Sequence, residues 1–280
     1  MRSYKTFALA VATTAVLATG HARAADLPPM LPPPPMMQEY GGWYLRGDIG
    51  MSNQRVKGIH HPQMDAPDVF EWLDRGGFDA APFFGVGIGY RHNSWFRWDA
   101  TAEYRGKAGF SALDRYETVD DLDPTTFDGT NDYRAKKSEW LLMWNAYLDL
   151  GTWKNITPFI GAGLGASRNT IGHFRDVDVT NTAIAYAPSG SKWQFAWALH
   201  AGLAYDVTPN FTIELAYRYL DLGDGRTGVL RAFDGACTLC QPVQFKNITS
   251  HDIKLGVRWA MADIGVSHWQ PPMQPVYSKH

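Results

Sequence analysis

Residues 193–207 read WQFAWALHAGLAYDV, a stretch in which every odd position is apolar or aromatic. The even positions carry glutamine, alanine, histidine, glycine and aspartate. Successive side chains of a strand point to opposite faces, whereas a helix would scatter these residues around its circumference. The stretch therefore predicts a β-strand with one apolar face and one small or polar face.

The same alternation recurs in seven other segments, each with about ten residues or more, the length that a tilted strand needs to cross a bilayer. The fourth segment alternates least cleanly, because Leu141 and Met143 share a face with Glu139. The glycines of the fifth leave one of its faces nearly bare. The predicted strands are Trp43–Ser52, Ala81–Arg91, Trp95–Gly106, Lys137–Gly151, Ile156–Arg168, Trp193–Val207, Phe211–Asp221 and Thr249–Met261.

With the fourth strand taken to end at Leu150, the connections between these segments alternate strictly between 24–30 residues and 3–5 residues. The short connections, 92–94, 151–155 and 208–210, are rich in residues that favour tight turns. Long connections at one end and tight turns at the other are typical of an outer-membrane barrel. We therefore predict an all-β fold, an eight-stranded antiparallel up-and-down transmembrane β-barrel with four long extracellular loops and short periplasmic turns.

A soluble barrel of lipocalin type also has eight up-and-down strands, so strand number alone does not locate the barrel. Large residues such as Trp197 and Leu203, opposed by alanine and glycine, favour an apolar face towards hydrocarbon and a narrow interior. Aromatic residues also fall near both ends of the strands, where membrane proteins carry interfacial belts. The predicted belts are Trp43, Tyr90, Phe96, Phe211 and Trp259 on the periplasmic side, and Phe84, Tyr104, Trp140, Trp193 and Tyr219 on the outer side.

The polar face carries acids and bases in nearly equal number, which predicts ion pairs filling the lumen rather than an open channel. Glu139 shares this face. The predicted lumen network comprises Arg46, Asp48, Arg91, Arg97, Asp99, Glu103, Arg105, Asp149, Asp206, Glu214, Arg218, Asp252, Lys254 and Arg258.

The termini predict export. A short apolar stretch after Arg2 and Lys5 ends at Ala22-Arg23-Ala24, as in a secretory signal peptide. The predicted organisation is a signal peptide at 1–24, a proline-rich periplasmic leader at 25–42, the barrel at 43–261 and a proline-rich tail at 262–280. The formal net charge of −2 gives no basic surface for nucleic acid. A composition of 45% hydrophobic and 14% aromatic residues fits an ordered chain rather than a disordered one.

Three motifs, 25–28 (ADLP), 43–50 (WYLRGDIG) and 158–165 (PFIGAGLG), resemble small porin-like outer-membrane proteins of alphaproteobacteria, relatives of the OmpA transmembrane barrel. In the last strand Lys254, Gly256, Trp259 and Met261 resemble the assembly signal of that family. The resemblance implies periplasmic chaperones and the barrel-assembly machinery as partners. Unlike the usual signal, this one ends in methionine rather than a terminal phenylalanine, and 19 residues follow it. We also predict a monomer.

The remaining chemistry-bearing residues give weaker signals. Cys237 and Cys240 predict a small loop disulfide in an exported chain, rather than half of a zinc site or a redox motif. His60, His61, His173, His200 and His251 have no nucleophile motif beside them, so we predict no enzyme activity and no cofactor. An alternative is haem capture by His60, His61 and Met64.

The second outer loop carries seven acids against four bases but lacks a calcium-loop pattern. One interpretation of these acids is that divalent ions bridge the loop to lipopolysaccharide, and the other is that the acids are simply solvated. The sequence predicts a role in envelope structure and surface display, with adhesion or host contact through the loops. The expected partners are outer-membrane lipid, lipopolysaccharide and host or surface ligands. The alternatives are a narrow porin for ions or small solutes and a loop-mediated haem or ligand receptor.

Overall fold

A computed structural model describes residues 42–65, 69–117, 127, 129–237 and 240–261. Within these ranges no helix is long and apolar enough to cross a membrane. The predicted signal peptide, the tail and all of the leader but Gly42 lie outside the described residues. A short 3-10 helix spans Pro62–Asp65, and the strands are β1 (Gly42–His60), β2 (Val69–Phe78), β3 (Ala81–Arg91), β4 (Phe96–Glu117), β5 (Asn131–Asp149), β6 (Ile156–Asp178), β7 (Ile184–Ala187), β8 (Gly190–Thr208), β9 (Phe211–Val229), β10 (Arg231–Ala232) and β11 (Pro242–Ala260).

Eight of these strands close into a ring in the order β1, β3, β4, β5, β6, β8, β9, β11. Every pairing around the ring is antiparallel, and β1 closes it by pairing with both β3 and β11. The ring has no free edge, which is the arrangement that satisfies all backbone groups of a sheet in lipid. The predicted eight-stranded antiparallel barrel is confirmed.

All eight predicted strands are present, but seven of them extend further at the outer end than the sequence predicts. β4 continues to Glu117 rather than Gly106, and β6 to Asp178 rather than Arg168. The outer connections are accordingly shorter than expected, and three of them contain further strands. β2 pairs with β4, β7 with β6, and β10 with β7. The long loops of the prediction are therefore largely an extension of the barrel wall.

Between the two aromatic belts, the strands place apolar side chains outward and charged ones inward. On β9, Leu215 is 55% exposed, whereas Glu214 and Arg218 are each 1% exposed. Adjacent belt residues pack on each other, with ring centroids 5.3 Å apart for Trp43 and Tyr90 and 5.1 Å apart for Tyr104 and Trp140. A soluble barrel would have the opposite arrangement, so this polarity fits a barrel wall in lipid.

Beyond Phe84, Tyr104, Trp140, Trp193 and Tyr219 the arrangement reverses. We call the strands and connections on that side the outer rim. On β4 the rim places Phe110 and Ala112 inside and Ser111 outside. On β5 Tyr133 and Ala135 point inside, and Arg134 lies exposed. An apolar interior and a polar exterior are those of a protein in water, so the strands leave the membrane at this level.

The glycine-rich face of β6 points into the lumen. A Cβ atom added at Gly163 would lie 2.2 Å from Asn145 Oδ1, and one at Gly161 would lie 2.5 Å from the Tyr147 ring. β5 is the neighbouring strand and supplies both of these side chains. The bare face of the fifth predicted strand therefore makes room for large residues of β5.

Candidate functional site

The lumen holds twelve of the fourteen residues predicted for the ion-pair network. Arg91 and Asp206 differ, because they are half-buried near the periplasmic turns, where water reaches them. Among the described residues Arg91 makes no ion pair, and Asp206 accepts a hydrogen bond of 2.6 Å from the Thr212 hydroxyl. The buried residues are Arg46, Asp48, Arg97, Asp99, Glu103, Arg105, Asp149, Glu214, Arg218, Asp252, Lys254 and Arg258.

Glu214 forms the centre of the periplasmic half of the network. Its carboxylate oxygens lie 2.8 Å from Arg258 Nε, 3.0 Å from Arg97 Nη2 and 3.1 Å from Arg46 Nη2. Arg97 also contacts Asp149 at 3.1 Å. The three arginines around Glu214 come from β1, β4 and β11. One carboxylate thus links distant parts of the ring across the lumen.

Arg46 adds further links to this cluster. It pairs with Asp99, and it contacts Asp48 at 2.9 Å. Its Nη1 also donates a 3.1 Å hydrogen bond to the Tyr147 hydroxyl. Asp48 in turn lies 3.4 Å from Lys254 Nζ. Nearly every buried charge in this half therefore has a partner of opposite sign, as buried charges require.

Arg218 is the centre of the outer half. It donates two hydrogen bonds to Glu103, of 2.6 and 2.7 Å, and one of 2.9 Å to Asp252. Asp252 also lies 2.5 Å from Arg105, which contacts Glu139 at 2.8 Å. Bidentate pairs of this kind are geometrically specific and stronger than neutral hydrogen bonds.

Lys137 was absent from the predicted network, although the structure buries it there. It pairs with Glu139 and donates a 2.7 Å hydrogen bond to Gln54. Lys137 is the first residue of a predicted strand, where the alternation gives little evidence of orientation, although the residue lies on the same face as Glu139. Lys137 and Glu139 join the twelve buried residues of the predicted network. Together these fourteen side chains are seven basic and seven acidic. The lumen is therefore electrically balanced.

An apolar plug lies on the outer side of this network, among the buried residues of the rim. Phe78, Phe110, Leu220, Phe245 and Ile248 are its main members, each at most 6% exposed. Three of its aromatic rings contact one another, with centroids 5.1 to 6.0 Å apart. The alternation in the sequence does not predict this plug, because the predicted strands end before most of these residues. Ions crossing the barrel would have to pass both the charged and the apolar layer.

The candidate histidines do not come together. His200 is buried in the lumen beside Asn145, and His173 is exposed on β6. His251 contacts the Tyr217 hydroxyl at 2.7 Å on the outward face, and His60 ends β1. His61 is buried and lines a rim pocket together with Met64. Among the described residues no group of three or more histidine, cysteine, aspartate or glutamate side chains is arranged to hold a metal.

The acids of the second outer loop are only partly described. Asp114 accepts hydrogen bonds from Tyr133 at 2.6 Å and from the Asn131 backbone at 3.0 Å. Asp132 pairs with Arg134 on the outer surface of the rim. Residues 120, 121, 123 and 128 lie outside the described part of the chain.

Cys237 and Cys240 are joined by a disulfide, with Cα atoms 5.0 Å apart. They lie in the connection between β10 and β11, in the outer rim. In the last strand Lys254 points into the lumen, and Trp259 points outward. Met261 follows β11 directly, and its backbone N–H donates a 2.9 Å hydrogen bond to the Trp43 carbonyl.

Similarity to known proteins agrees with this architecture. The family model of the outer membrane protein beta-barrel domain matches residues 12–260. An uncharacterized protein of Brucella abortus (strain 2308) is 32% identical over 225 residues, which cover 73% of this chain and 77% of the relative. Outer membrane protein PagN of Salmonella typhimurium is 30% identical over 200 residues, which cover 65% of this chain and 75% of PagN. The crystal structure of Neisserial surface protein A is 16% identical with a TM-score of 0.43, covering 79% of this chain and 97% of that one. The chain thus belongs to the outer membrane protein beta-barrel family and is a protein of the bacterial outer membrane.

Proposed function

We propose that this protein is a closed barrel that supports the envelope and displays its outer rim at the cell surface, for adhesion or host contact. The observation that carries the proposal is the combination of an occluded lumen with a wall that continues well beyond the membrane. A channel would need an open lumen. A display scaffold benefits from both, because a rigid barrel holds the rim in one geometry.

The rim offers a large surface. From Tyr104 to Glu117, β4 rises roughly 30 Å beyond the outer belt, at about 3.3 Å per residue and a tilt of about 40°. Although the rim lies outside the membrane, several of its large apolar side chains are exposed. Phe233 is 76% exposed, and Ile184 and Tyr186 of β7 are also exposed. β7 and β10 pair with each other, so these residues share one edge of the rim. Exposed apolar groups in such a position favour contact with a partner.

The alternative functions receive less support. The balanced charges and the apolar plug oppose a steady pathway for ions or small solutes. A haem receptor would use His61 and Met64, but Asp176 and Asp178 line the same pocket, and their charge repels the propionates of haem. The absence of enzyme activity stays a prediction.

We expect the purified barrel in a planar lipid bilayer to show no steady single-channel conductance. Current would require ions to displace the charge contacts around Glu214 and Arg218 and then to cross the apolar plug. Electrical recordings at neutral pH test this, with a general porin in the same bilayers as the positive control. A large and steady conductance carried by the purified, folded protein would contradict the closed lumen and favour the porin.

We expect bacteria that express the protein to adhere to host-cell monolayers, and the Phe233→Ser, Tyr186→Ser double variant to adhere at least twofold less. Both side chains are exposed on the same edge of the rim. The matched control is Trp153→Ser, which removes a 63% exposed aromatic from a periplasmic turn. Heat-dependent gel migration verifies that each variant is folded. Adhesion by the double variant at the level of the unaltered protein would overturn this role of the rim edge.

A further inference from the structure

A pocket of about 450 Å³ opens in the outer rim, at the end of the barrel that carries the apolar plug. Residues of β2, β4, β5, β6, β7, β10 and β11 line it, together with Met64 of the 3-10 helix. Its volume lies within the range of small-molecule sites, which are mostly apolar with a few polar groups. The lumen network does not include this space, whereas Ile184 and Phe233 of the exposed rim edge also line it.

Aromatic rings make up much of the pocket wall. Phe70, Tyr116, Tyr133, Phe174 and Phe233 all line it. Tyr133 and Phe174 contact each other, with ring centroids 6.2 Å apart. The faces of such rings carry partial negative charge and attract ammonium groups, and sites built from several rings are typical for organic ammonium ligands.

The charges of the wall have one sign. Asp176 and Asp178 line the pocket, and the described lining residues include no lysine or arginine. Asp178 already has partners, because the Tyr116 hydroxyl donates to it at 2.5 Å and Asn181 donates through its backbone and side chain. The Oδ1 atom of Asp176, by contrast, is buried and makes no hydrogen bond with any described residue. An unpartnered carboxylate oxygen in such a place costs free energy that a cation would recover.

We propose that this pocket binds a small organic cation, with its ammonium group against Asp176 and its apolar body against the aromatic rings. The site differs from a metal site, because the wall offers few oxygen ligands and many carbon atoms. The pocket shares Ile184 and Phe233 with the rim edge proposed above for surface contact, but recognition of the cation rests on Asp176, which that contact does not use.

Proton binding at Asp176 should compete with the ligand. Burial and the nearby charges of Asp114 and Asp178 raise the pKa of Asp176 to about 7. The other titratable groups that line the pocket are Tyr116 from β4, Tyr133 from β5 and His61 after β1. Because the raised pKa favours the neutral acid at low pH, affinity for a cation should be highest above pH 7 and fall below it.

Isothermal titration calorimetry of the folded barrel in detergent tests the proposal, with 2-phenylethylamine as the cationic probe at pH 8. We expect the neutral analogue 2-phenylethanol to bind at least tenfold more weakly. Asp176→Asn should weaken binding of the amine at least fivefold, without weakening the alcohol. The matched control is Asp132→Asn, which removes the same charge from the outer surface of the rim, and this variant should bind the amine as the unaltered protein does.

Asp176→Asn removes a buried charge that repels its neighbours, so this variant should fold, and heat-dependent gel migration verifies it. Equal affinities for the amine and the alcohol would overturn the charge recognition. Unchanged amine binding by folded Asp176→Asn would overturn the assigned site. No measurable binding of either probe would overturn the proposal as a whole, whether or not the cells adhere.

Discussion

Replacing Glu214 by alanine should destabilise the folded barrel by about 3–5 kcal/mol, the usual cost of removing one partner from a buried ion pair. Glu214 lies within 3.1 Å of three arginines. Arg46 and Arg97 retain other acids after the substitution, but Arg258 has no second ion-pair partner among the described residues. The loss therefore leaves at least one guanidinium buried without a counter-charge. Urea unfolding in lipid vesicles, followed by tryptophan fluorescence and gel migration, measures the change.

Two further variants separate this effect from general damage to the lumen. Asp206→Ala also removes an inward-facing acid, but a half-buried one whose only described contact is Thr212, so we expect a cost below about 1 kcal/mol. Adding Arg258→Met to Glu214→Ala should restore part of the lost stability, since the unpaired charge is then gone. If Glu214→Ala unfolded at the same urea concentration as the unaltered protein, the network would have no stabilising role.

The sequence predicts the membrane-spanning part of the fold well, because lipid imposes one rule along its whole length. Outward residues must be apolar there, so alternation is clean and strands such as Ala81–Arg91 are found with the predicted bounds. The tight turns follow from residues that favour turns, such as 92–94. Closure of the ring then needs only the number of strands and their antiparallel order.

The rim escapes prediction for two physical reasons. On β4 the polarity of the two faces reverses between Arg105 and Phe110, and this reversal ends the alternation that predicts the membrane-spanning part of the strand. Register shifts also break the period of two. On β11, Phe245 and Ile248 both lie buried inside, three positions apart. Asn247, between them, has a φ of 50°, and its backbone N–H donates to Asp224. A scan for strict alternation cannot follow a strand through such a bulge.

The lumen residues could be named from the sequence, but their partners could not. Charges on the polar face of a narrow barrel have to lie inside, which is why Arg46 and Glu214 were both identified. Their contact joins β1 and β9, which are not neighbours in the ring. It therefore depends on the stagger of the strands around the barrel, and a single strand does not encode that stagger. The rim pocket is still harder to predict, because its wall combines residues of seven strands.

Replacing Leu215 by arginine should cost about 2–4 kcal/mol, the penalty for this residue near the middle of a bilayer. Leu215 lies midway between the belt residues Phe211 and Tyr219 and is paired with Leu203 and Leu255 on the neighbouring strands. Its outward orientation means that the guanidinium would meet hydrocarbon, with no acid on that face to pair with it. Urea unfolding in vesicles measures the loss.

Leu73→Arg provides the matched control for this prediction. Leu73 of β2 is 52% exposed and Leu215 is 55% exposed, so the two substitutions make the same chemical change at equal exposure. Leu73 belongs to the rim and meets water, where an exposed arginine is tolerated within about 0.5 kcal/mol. The two sites differ in their surroundings, lipid for Leu215 and water for Leu73. A large difference between the free-energy losses of the two variants therefore shows that Leu215 lies in lipid. Equal and small effects would mean that the outward face of β9 is not in hydrocarbon.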